Sequence, residues 1–94
     1  MAKKRERLDL IYDILLTIRK EGNVVGPTKL LQASNLSSQM FKEYIHELLS
    51  KTFIEEIQVG KKKSMKKAYT LTIKGEEFID KYKEMKKFIE NFGL

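Results

Sequence analysis

The chain has no cysteine among its 94 residues, and only one proline and one histidine. Without thiols, neither a disulfide framework nor a thiolate metal site can form. The single histidine, His46, has Glu43 and Glu47 near it, but nothing elsewhere supplies further ligands at metal-binding spacing. A glycine-rich phosphate loop, a nucleophile elbow and an isolated carboxylate pair in an apolar run are also missing. The adjacent acids Glu55-Glu56 and Glu76-Glu77 read as strand and helix surface. No enzyme, metal, cofactor or small-molecule substrate is therefore expected. Long apolar runs are lacking too. The opening MAKKRERLDL has a basic region but no apolar stretch of signal-peptide length, and nothing approaches a membrane span. These absences point to a cytoplasmic protein with no membrane partner.

Lysine is present in excess. The formal net charge is +6. Lys61, Lys62, Lys63, Lys66 and Lys67 crowd into the stretch VGKKKSMKKAYTLTIKG (residues 59–75), and Lys3, Lys4, Arg5 and Arg7 form a second cluster near the first residue. The remainder is close to neutral. Like charges side by side contribute nothing to packing, whereas a polyanionic partner gives them a purpose. The length suits one domain, or one domain with an appended helix. With 41% hydrophobic residues, the core has little surplus and self-association is expected.

Periodicity supplies the elements. Leu8, Ile11, Leu15 and Ile18, with Ile14 beside them, predict a helix over 5–21, closed by Lys20 and Gly22. After a short extended piece at Asn23-Val24-Val25-Gly26, Pro27 suits a first helical turn, and Lys29 to Ser34 reads as a second helix. Asn35 tolerates the left-handed conformation of a tight turn. A third helix starts at Ser37 or Ser38, with Leu36 and Phe41 at the positions of a hydrophobic staple. Its apolar face is Phe41, Tyr44, Ile45, Leu48 and Leu49, and its polar face carries Ser38, Gln39, Lys42, Glu43 and His46. That is a helix-turn-helix pattern. Residues 53–59 and 68–73 are strand-like, and the lysine-rich loop 60–67 between them makes the pair a wing.

The last segment, 74–92, is a helix with acids near its start. Phe78, Tyr82, Met85, Ile89 and Phe92 recur at alternating spacings of four and three, a heptad seam flanked by Ile79 and Phe88. Phe78 and Ile79 are expected to meet the chain's own domain in part, and the outer portion to meet a second copy. The fold class is thus α+β, mostly α. It comprises a winged helix-turn-helix domain over 1–75 and a dimerising coiled-coil helix over 76–94.

Three runs, LDLIYDIL, TKLLQASNLSSQMFKEYIHELL and YTLTIKGEEFI, resemble the small archaeal winged-helix DNA-binding proteins of chromatin preparations. The Tyr-x-Leu-Thr-x-Lys-Gly run (Tyr69 to Gly75) is common among archaeal winged helices and specifies fold more than function. The resemblance implies a nucleoid-associated homodimer joined by C-terminal helices that binds double-stranded DNA with little sequence preference. Carried onto this chain, the dimer contact falls on Phe78, Tyr82, Met85, Ile89 and Phe92. DNA contact falls on Lys3, Lys4, Arg5, Arg7, Lys29, Ser37, Ser38, Gln39, Lys42, His46 and the five wing lysines. Two departures stand out: Thr52 occupies a position where such sequences often have glycine, and the last helix is short for a long coiled coil. A sequence-specific regulator and a winged helix that binds protein are the alternatives. RNA binding would need an exposed stacking aromatic, for which Tyr69 is the candidate.

Overall fold

The computed structural model describes residues 7–93. In chain order it comprises α1 (Arg7–Lys20), β1 (Val24–Val25), α2 (Pro27–Ser34), α3 (Ser38–Ser50), β2 (Ile54–Val59), β3 (Lys66–Leu71) and α4 (Ile73–Glu90). The strands form one antiparallel sheet in the order β1-β3-β2. Ile11, Ile14, Leu15 and Ile18 of α1 pack with Leu30 of α2, Phe41, Ile45 and Leu48 of α3, and the sheet residues Val25, Ile54 and Tyr69. Leu8 was expected on the α1 stripe but is exposed, because it lies one turn beyond Ile11 and overhangs the end of the core.

Local chemistry sets the helix ends. The α1 chain reverses at Gly22, where the Asn23 N–H donates to Ile18 O (2.9 Å) and the Gly22 N–H to Arg19 O (3.1 Å). α2 starts at Pro27, two residues before the expected Lys29, since proline at the first position loses no helical hydrogen bond. It stops at Asn35, which is left-handed with φ 57°. The Ser37 hydroxyl caps α3 by accepting from the Met40 N–H (3.2 Å), and both staple residues, Leu36 and Phe41, join the core.

The end of α3 departs from common chemistry. Thr52 sits at φ 61°, a left-handed conformation unusual for a β-branched residue. Its N–H donates to Leu49 O (3.1 Å) and the Phe53 N–H to Leu48 O (2.9 Å), completing the pair of bonds normally built around glycine. The β3–α4 junction then clamps this turn. Thr72 caps α4 by accepting from the Gly75 N–H (3.1 Å), and its own hydroxyl donates toward Thr52 O (2.6 Å), with Phe53 O at 3.1 Å. Lys74 reaches Lys51 O (2.8 Å) and lies over the Phe53 ring, 4.8 Å from its centroid. Gly75 abuts the Phe53 carbonyl so closely that a Cβ there would overlap its oxygen. The Leu-Thr-x-Lys-Gly part of the run is therefore a structural clasp between α4 and the end of α3. It also explains a correction: Ile73 was expected to end a strand, but the Thr72 cap makes it the first, exposed residue of α4.

α4 runs antiparallel to α1. Arg19 bridges to Asp80 (3.1 Å) and Glu76 (3.8 Å), the Tyr12 and Tyr82 rings lie 5.0 Å apart, and Tyr82 donates a hydrogen bond to Asp9. Phe78 stacks on Tyr82 and meets Phe53 edge-on. Tyr82, placed by its spacing in the outer, intermolecular part of the seam, is thus taken up within the protomer, beside Phe78, which was expected to meet its own domain in part. Tyr82 is buried and Phe78 half-buried, because the helix is held against α1 about one turn further than expected. From Lys83 to Glu90 every residue of α4 is exposed, and the molecule extends over 54 × 28 × 21 Å.

Candidate nucleic-acid interface

The α3 helix buries Phe41, Ile45 and Leu48, which turns Ser38, Gln39, Lys42, Glu43 and His46 outward. Ser37 is exposed as well, but its hydroxyl is engaged as the cap. The wing is built beside this face. Gly60, at φ 114°, opens its turn because a side chain there would collide with the Ser64 backbone, and the Ser64 N–H closes it on Lys61 O (2.7 Å). Lys61, Lys62 and Lys63 are exposed in the turn.

Lys66 and Lys67, expected in the loop, belong to β3. The ladder continues through the pairs Val59 with Lys66 and Gln58 with Lys67, since the shorter turn leaves these backbone groups free to pair. Strand alternation then sends the two side chains to opposite faces of the sheet. Lys67 shares its face with Tyr69 and lines a cleft of ≈ 310 Å³ together with Ser38 and Lys42 of α3 and Pro27 and Thr28 of α2. The wing and the recognition helix therefore border one cleft through Lys67 and Lys42.

The start of α2 contributes a feature that residue-type reasoning missed. Gly26 offers no side-chain cap, the first turn holds no acid, and Thr28 is exposed at its head. Main-chain N–H groups at such a terminus favour anions. The signal was legible in Gly26-Pro27-Thr28 once Pro27 was placed at the first helical position.

Two of the expected cations are engaged within the chain. Arg7 forms an ion pair with Glu47, which Lys51 also approaches at 3.3 Å. The pairing offsets a negative charge that would otherwise repel phosphate from α3. Lys29 reaches Glu21 at 2.7 Å while staying largely exposed. Lys3, Lys4 and Arg5 lie outside the described residues. Tyr69, the stacking candidate, is only 5% exposed and sits in the core, so it offers no platform for a base. Met65 is exposed just before β3, between the turn lysines and Lys66.

At the far end of the molecule the outer half of α4 and the turn after it present Met85, Phe88, Ile89 and Phe92, with Phe88 63% and Phe92 67% exposed and their rings 5.1 Å apart. Phe88, which the spacing placed beside the seam, is among its most exposed members.

Three helices, a small antiparallel sheet and a basic hairpin beside the third helix define a winged helix-turn-helix. The chain belongs to the winged helix-turn-helix family, whose model matches residues 4–90. It is 31% identical over 86 residues to an uncharacterised protein of Methanocaldococcus jannaschii, MJ0290. That match takes in 92% of this chain and 36% of the relative, so the chain spans about a third of that protein's length. Its fold is similar to the crystal structure of Sso10a-2, a DNA-binding protein from Sulfolobus solfataricus, with a TM-score of 0.73 at 20% identity. The superposition covers 94% of this chain and 85% of that one. Among the described residues, no helix is long and apolar enough to cross a membrane.

Proposed function

We propose that this protein binds duplex DNA mainly through its phosphates, with little sequence preference, and does so as an architectural homodimer. The observation that carries the reading is the convergence of Lys67 and Lys42 at the head of α3, continuous with the exposed wing lysines. Lysine contacts of this kind position a protein on a duplex without reading bases. The α3 face supports the same reading, since Ser38, Gln39, Lys42 and His46 include no arginine for bidentate contact with guanine. That Sso10a-2 is a DNA-binding protein agrees with it.

The self-association rests on Met85, Phe88, Ile89 and Phe92. Covering the exposed parts of these four side chains on each of two protomers contributes on the order of 8 kcal/mol. That is comparable with the cost of association, about 4–15 kcal/mol, so the dimer is expected to be reversible rather than permanent. Tyr82 and Phe78 act as the root of the dimerising helix.

Fluorescence anisotropy of unrelated duplexes across a salt series tests the proposal. Similar affinities are expected, and with about five phosphates neutralised per protomer the log–log salt slope should be on the order of −9. Changing the five wing lysines to alanine should weaken every duplex alike and flatten the slope. Tight binding confined to a few sequences would instead assign α3 the role of a base reader and the protein that of a regulator. No binding at low salt would overturn the DNA reading.

A further inference from the structure

The sheet face that carries Lys66 points away from α3. Along β3 it presents Lys66 and Ala68, with Val24 of β1 on one side and Val59 of β2, the register partner of Lys66, on the other. Val24 is 41% and Val59 37% exposed, although the alternation of an antiparallel sheet normally puts polar residues on its open face. Together with Lys67 and the start of α2 these residues line a groove of ≈ 650 Å³, which adjoins the α3 cleft along Pro27, Thr28 and Lys67. Its floor is apolar and its rim is cationic. Lys66 stands at one side, and at the other is Lys29, which keeps its exposure while reaching Glu21. The uncapped first turn of α2 adds the positive end of a helix dipole to the same rim.

An apolar floor bounded by lysines and a helix N-terminus does not match duplex DNA alone, because phosphates use the rim and leave the valines in water. A short acidic peptide with apolar residues between its carboxylates uses both. We infer that this groove is a docking site for an acidic-apolar segment of a partner protein. The apolar side chains cover Val24 and Val59, which flank the buried Ala68, and the carboxylates meet Lys29 and Lys66. The inference is argued separately from the DNA reading, but Lys29, Lys66 and Lys67 belong to both surfaces, so duplex and peptide should compete.

The test is titration of the full chain, labelled for amide NMR, with a peptide alternating leucine and glutamate. A serine–glutamate peptide and a leucine–lysine peptide serve as controls. Shifts are expected at Val24, Lys29, Val59, Lys66 and Ala68, and not at Gln39 or His46 on α3. The Val24→Ser, Val59→Ser double variant changes only partly exposed positions, and it should lose about tenfold or more in affinity for the leucine–glutamate peptide. It should bind duplex DNA as the unaltered chain does. Equal binding of the serine–glutamate peptide would reduce the effect to surface lysines and overturn the inference. Equal binding of the leucine–lysine peptide would remove its charge argument and do the same. Weakened duplex binding by the double variant, with no peptide bound, would hand the groove to DNA. Absence of DNA binding by both forms would refute the proposed function and leave the peptide result standing.

Discussion

Thr52→Gly should make the protein more stable, which is the reverse of the usual consequence of introducing glycine. Thr52 is held at φ 61° because the Schellman-type turn after α3 requires a left-handed residue there. For an L-residue that conformation costs about 1–2 kcal/mol, and branching at Cβ puts threonine at the upper end. Glycine removes this strain but raises the entropy lost on folding by roughly 0.5–1 kcal/mol. The Thr52 hydroxyl bond to Lys51 O is exposed and contributes little. The clasp from Thr72 uses the Thr52 main-chain carbonyl, which glycine retains. The net gain is on the order of 1 kcal/mol, equivalent to a rise of about 4–8 °C in Tm for a domain of this size. Thermal unfolding at one fixed protein concentration measures it, because the proposed self-association would make Tm depend on concentration. Thr52→Ala, which keeps a Cβ, is the control and should gain little. A loss of stability in Thr52→Gly would refute the idea that strain at this turn outweighs chain entropy.

Other expectations concern the clasp, the root of α4 and its free end. Gly75→Ala should cost about 3 kcal/mol or more in denaturant unfolding, because the new Cβ meets the Phe53 carbonyl rather than a yielding side chain. Tyr82→Phe should cost about 1–2 kcal/mol by the same measurement, since it removes the donor to Asp9 while keeping the ring stack with Tyr12 and Phe78. Phe88→Asp should shift sedimentation toward the monomer with little change in the protomer's far-UV spectrum, because the side chain is 63% exposed. An unchanged dimer in that variant would remove Phe88 from the interface.

Much of the fold was legible without coordinates. Three of the helices followed from periodicity and α2 from Pro27 and the stretch after it, and the cap at Ser37, the stop at Asn35 and the turn at Gly22 from local backbone chemistry. Each depends on residues within one turn of one another, so sequence spacing carries the information. Boundaries that depend on distant partners were misplaced. Lys66 and Lys67 joined β3 because β2 offered register partners, and Ile73 joined α4 because Thr72 caps the helix while fastened to Thr52.

The candidate site divides in the same way. Strand-like runs around a lysine cluster picked out the wing, and helical spacing picked out the polar face of α3, since neither assignment needs a distant neighbour. The sequence also determined that a late apolar stripe exists on α4. Only the tertiary structure decided where that stripe stops belonging to the protomer, because α1 supplies Tyr12 and Asp9 to hold Tyr82. It likewise decided that Arg7 is engaged by Glu47 and that Lys67 lines one cleft with Lys42 while Lys66 lines only the neighbouring groove. A side chain's partner is set by which surfaces the folded chain brings together, and spacing along the chain does not encode that.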